Sequence, residues 1–214
     1  MKFNRKSLAA THSTDAQIIT VAQAKRHIRG VPGNDDDEII AEFILSATEF
    51  VKDYLQIGLR TQTLTLTMDG FYEGEDIQRW RSLGGGTHTG SIVDLLGGYG
   101  SVDLPYPPMQ SVTSVTTYDR DDTATVFPAS KYRADLRSGR LYLNEGEVWP
   151  TNLRGYDAVE IVYVAGYGAE SVPEPIKGAI RELVRASYDG CAMELSEATK
   201  AMLSPYKRLD NLAW

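Results

Sequence analysis

With 214 residues, 42% hydrophobic and 24% charged, the chain is long enough to bury a core without disulfide or metal staples, and its composition argues against wholesale disorder. The formal net charge of -7 disfavours sequence-nonspecific binding of nucleic acid by the surface as a whole. A single cysteine, Cys191, excludes an intramolecular disulfide, and no apolar run approaches the ~20 residues that a membrane-spanning helix needs, so no membrane role is expected.

Residues 1–19 lack sustained periodicity and read as a basic arm. Residues 1–30 carry Lys2, Arg5, Lys6, Lys25, Arg26 and Arg29 against Asp15, a net of +5, whereas the stretch from Asp35 to Asp53 is strongly acidic. Opposite poles of this kind suit contact between subunits. No apolar run follows the basic residues, so nothing resembles a signal peptide, and assembly in a reducing cytoplasm is expected.

Residues 20–60 read as the first part of a helical core. Thr20 with Gln23 has the spacing of a capping box, and Gly30 and Pro32 stop the short helix that follows. The second helix carries the strongest signal in the chain, with Asn34 or Asp35 as its cap, acidic residues at the positive end of its dipole and an end near Gly58. Ile40, Ile44, Ala47, Val51 and Tyr54 recur at spacings of three and four, which is one apolar face in need of a partner.

From Thr61 to Met68 the period changes to two, which predicts a half-buried strand. Further strands are expected at Ser111–Tyr118, Ala124–Phe127, Lys131–Ala134, Arg140–Leu143 and Ala158–Val164, so residues 61–168 read as an insertion built on one small antiparallel sheet. Within it, residues 72–101 stand apart as a glycine-rich flexible arm. Its apolar side chains Trp80, Ile92, Val93, Leu95, Leu96 and Tyr99 offer sticky groups suited to contact with a partner surface.

Residues 169–195 read as the second part of the helical core. The helix after Val172-Pro173-Glu174-Pro175 carries an apolar stripe of Ile176, Ala179, Ile180, Leu183, Val184 and Ser187, the natural partner of the second helix. A last helix, about Ser196 to Leu203, lies in a C-terminal segment of residues 196–214 that ends on an aromatic. The fold class expected is α+β, a helical core formed by N- and C-terminal helices around the inserted sheet.

Chemistry has little purchase on this sequence. Gly85 to Gly90 has the glycine spacing of a phosphate-binding loop but lacks the lysine that should follow. Asp35-Asp36-Asp37-Glu38 lacks the alternating ligands of a calcium loop and reads as an acidic helix start. His12, His27 and His88 have no partners at zinc spacing, Cys191 has no histidine near it, and no serine lies in Gly-x-Ser-x-Gly. No catalytic residue, metal or cofactor is expected. Lys2, Arg5 and Lys6 are possible basic contacts, with solvated termini or protein docking the stronger readings over DNA.

The order of segments resembles the phage head-tail connector, or head-completion adaptor, family, which also occurs in gene transfer agents. The residues that carry the resemblance run from Val21-Ala22-Gln23-Ala24-Lys25 through Asp35-Asp36-Asp37-Glu38-Ile39-Ile40, Ala47 to Leu55, Arg60-Thr61-Gln62-Thr63 and Met68-Asp69-Gly70-Phe71. They continue with Leu104 to Val112, Tyr132, Trp149-Pro150, Val162 to Gly168 and Val172 to Ile180, so the likeness covers about residues 20 to 207. The glycine-rich stretch is longer than the family pattern.

The resemblance implies a dodecameric ring of neighbouring copies beneath the portal protein, in the virion neck at the head-tail interface. Genomic DNA would pass through the lumen without sequence-specific binding, and a tail-completion (stopper) protein would follow on the tail side. It also implies that the C-terminal segment docks on the portal, and on that basis Leu203, Tyr206, Lys207, Arg208 and Trp214 are the expected docking residues. Assembly would take place in the host cytoplasm. The alternatives weighed against it are a tail or neck structural or receptor-binding module and a small hydrolase on the β region.

Overall fold

A computed structural model describes residues 6–12, 17–28, 33–71, 101–168 and 171–208, among which lie four α-helices and eight β-strands in two antiparallel sheets. The chain divides into two units, each with its own apolar core. Of the described residues, one comprises 6–12, 62–71 and 101–165, the other 17–28, 33–61, 166–168 and 171–208. The fold is mixed α+β.

The helical unit contains α1 (Val21–His27), α2 (Asp37–Leu55), α3 (Glu174–Tyr188) and α4 (Glu197–Leu203). In α1 the capping box is formed: Gln23 N donates to Thr20 Oγ1 at 3.2 Å, and Thr20 N donates to Gln23 Oε1 at 2.9 Å. The cap of α2 is Asp36, one or two residues later than the sequence suggested, and its carboxylate makes no capping bond. It accepts instead from Tyr188 Oη at 2.7 Å, so a residue with cap chemistry serves a helix-to-helix tie. Gln56, in the left-handed region at φ 55, ends α2 ahead of Gly58.

Ile40, Ile44, Ala47, Val51 and Leu55 of α2 are buried in one cluster with Ile176, Ala179, Ile180, Leu183 and Val184 of α3. Burying an aliphatic side chain of this size contributes roughly 1.5–3 kcal/mol. Thr48 is buried among them because its hydroxyl donates to Ile44 O at 2.6 Å, which satisfies the only polar group it brings inside.

The other unit contains β1 (Lys6–His12), β2 (Gln62–Met68), β3 (Ser101–Asp103), β4 (Met109–Tyr118), β5 (Ala124–Val126), β6 (Tyr132–Asp135), β7 (Arg140–Leu143) and β8 (Val159–Ala165). The single sheet expected from the sequence is in fact two, a five-stranded sheet in the order β1-β2-β8-β4-β5 and a three-stranded sheet in the order β3-β7-β6. The first takes its edge strand β1 from outside residues 61–168, within the stretch read as an arm. Alternation holds where it is strongest: Leu64, Leu66 and Met68 of β2 and Val159, Ile161, Tyr163 and Ala165 of β8 all point into the core. Trp149 closes that core, stacked on Phe71 at 4.1 Å between ring centroids and tilted against Phe127 at 5.1 Å.

Candidate docking segment

The C-terminal segment is built on α4. Ser196 caps it, with Thr199 N donating to Ser196 Oγ at 3.2 Å, and the Thr199 hydroxyl in turn donates to Glu182 of α3. Leu195 and Leu203 enter the helical core at either end of α4. Pro205 at the start of the following 3-10 turn (Ser204–Tyr206) stops the helix, since it cannot donate to a further turn.

Beyond the turn, the chain is pinned to the C-terminal end of α2. Arg208 N donates to Leu55 O at 3.0 Å, one of the last four carbonyls that a helix leaves without an internal partner. The Lys207 ammonium lies 4.5 Å from the centroid of the Tyr54 ring, within cation–π range. Lys200 pairs with Glu197 at 2.7 Å, and that hydrogen bond raises its pKa.

Of the expected docking residues, Leu203 is fully buried and anchors α4; in this structure it offers no docking surface. Tyr206 is half-buried against the core, Lys207 is exposed, and Trp214 lies outside the described residues. Met202, 54% exposed, is the apolar residue of the pair that faces out; in a helix of seven residues periodicity cannot say which of two adjacent apolar residues does so.

Trp80, Ile92, Val93, Leu95, Leu96 and Tyr99 also lie outside the described residues, as do Lys2 and Arg5. Lys6 is a half-buried strand residue opposite Met68 in the β1–β2 ladder.

Among the described residues, no three His, Cys, Asp or Glu side chains group as metal ligands, and Cys191 is exposed. A groove on the β6–β7 hairpin is open and lined by both signs of charge, Arg133 and Arg137 with Asp135 and Glu145. The Asp135 carboxyl is held below its ordinary pKa first by the Ser138 hydroxyl, which donates to it at 2.6 Å, and also by the amides of Ser138 and Arg137. Those bonds close a turn, and they keep the carboxylate ionised and occupied.

No family model matches the chain, and no curated protein matches it. Solved structures do match it over nearly its whole length. A chain of the neck of the empty gene transfer agent (GTA) particle, computed with C6 symmetry, has a TM-score of 0.69 at 19% identity, covering 97% of this chain and 98% of that one. A chain of the virion of the native GTA particle matches with a TM-score of 0.68 at 17% identity, and one of the native neck computed with C12 symmetry with 0.65 at 18%, both over the same shares. At these identities the likeness is one of fold.

Proposed function

We propose that the chain is a structural component of the neck of a tailed phage or phage-like particle, the adaptor that forms a ring beneath the portal and joins the DNA-filled head to the tail. The observation that carries this reading is the end-to-end fold match to chains of GTA necks and virion, over 97% of this chain and 98% of theirs. A match confined to one unit would say far less, because common folds serve many functions. The motif order in the sequence points the same way.

In this reading the ring consists of twelve neighbouring copies, with a tail-completion protein on its far side and DNA passing through its lumen. The net charge of -7 supports free passage, since phosphates meet like charge. The glycine-rich residues 72–101 are the arm toward a neighbour or the tail-side protein, through Trp80 and Ile92 to Leu96. The chain acts by binding and carries out no reaction.

Portal docking is assigned to the C-terminal segment, through Met202 and Lys207, which are exposed, Tyr206 and Arg208, which are half-buried, and Trp214. Leu203 supports that surface from within. Two substitutions separate these roles. Lys207→Glu gives up the contact with Tyr54 and should cost no more than about 1 kcal/mol of stability while weakening joining to portal-containing heads at least tenfold, whereas Leu203→Ala should cost about 2–5 kcal/mol of stability. Undiminished joining by Lys207→Glu, or an unchanged stability for Leu203→Ala, would overturn the assignment.

A further inference from the structure

The five-stranded sheet ends in a strand that lacks the usual protection. β1 pairs with β2 without a break, from Lys6 opposite Met68 to His12 opposite Gln62, and no strand lies beyond it among the described residues. The main-chain donors and acceptors on its far side are taken up by no strand among the described residues. Sheets guard such edges with short strands, charge, proline or bulges.

The other margins of the two sheets obey that rule, since β5 and β3 have three residues each and β6 has four. β1 has seven. Its stretch Ser7-Leu8-Ala9-Ala10-Thr11 has no charge, no proline and no bulge. Ser7, Ala9 and Ala10 are exposed and small, so a second backbone can approach to the ordinary strand spacing of about 4.8 Å.

We propose that this edge is a self-pairing surface: in the free protein, β1 of one copy pairs antiparallel with β1 of a second copy about a two-fold axis at Ala9, joining two five-stranded sheets into one. A second copy is the fitting partner because the segment complements itself. Centring on Ala9 sets Leu8 against Ala10, large against small, and Ala9 against its own copy. No charge meets a like charge across these five positions. The contact is isologous, so it closes at two copies and does not propagate.

A cyclic ring has no two-fold axis between neighbours, so the dimer belongs to the free chain and parts before a ring closes. The self-pairing stands independently of the portal reading, and portal binding by a chain that never dimerises would leave that reading intact.

Sedimentation velocity of the full chain over a concentration series tests the proposal, alongside Ala9→Lys, Ala9→Glu and an equimolar mixture of the two. On the two-fold axis each substitution opposes like charges, while the mixture opposes unlike ones. The expected result is a wild-type dimer, at least tenfold weaker dimerisation for each variant alone, and recovery in the mixture. A wild-type monomer at every concentration, a dimer indifferent to both substitutions, or no recovery on mixing would each overturn it.

Hydrogen exchange of the wild type needs no variant to fold. Amides of residues 7–11 should exchange more slowly at high protein concentration than at low, and exchange independent of concentration would contradict the pairing.

Discussion

Gly166 is a residue whose identity is set by one atom. Its φ is +101, and a Cβ built there would lie 1.9 Å from the carbonyl oxygen of Arg60, a backbone atom that no rotamer change can move aside. Gly166→Ala should therefore destabilise the protein by on the order of 3 kcal/mol, read from the midpoint of urea denaturation. A loss under about 1 kcal/mol would mean that the two backbones do not approach in this way. Nothing in the sequence around Gly166 announces the clash, because Arg60 is far away along the chain. Leu203 carries a similar lesson: its apolar character was plain, but whether it faced a partner or the core was not.

At the scale of elements, what was legible is what repeats. α2 and α3 span enough turns for the 3.6-residue period to mark their buried faces, and β2 and β8 alternate cleanly. The capping box of α1 was visible as two residues at fixed spacing, and both of its bonds are made. A helix of seven residues is too short to hold itself together in water, so its cap matters more than in a long one. Thr20→Ala should cost about 1 kcal/mol, and hydrogen exchange should quicken in α1 ahead of α2. Unchanged stability would show that packing of Ala24 and Ile28 alone fixes this helix.

β1 was not legible for the opposite reason. Its residues include a single large apolar side chain, Leu8, so no alternation distinguishes a strand from an arm. Pairing with β2 makes it a strand, and tertiary context overrides local pattern. β3 was missed likewise: three residues beside a glycine-rich stretch carry no period, and their partner β7 lies well downstream. The same non-local pairing separates β3, β7 and β6 from the main sheet, which segment-by-segment reading could not anticipate.

For the whole molecule, the mixed α+β class followed from the change of period near Thr61 and its return after Pro173. The division into two units, each with its own buried cluster, rests on long-range contacts instead. Function stood at this scale from the start, because no residue group suggested chemistry and only the order of elements along the chain pointed to a neck component. The full-length match to GTA chains is likewise a likeness of the whole fold and of no single site.

The most direct test of the adaptor reading is to mix the purified chain with its cognate portal and to follow the mixture by mass photometry and negative-stain imaging. A ring of the chain capping the portal in fixed stoichiometry, twelve copies to one portal, is the result expected. A folded chain and an intact portal that fail to associate at any ratio would contradict it.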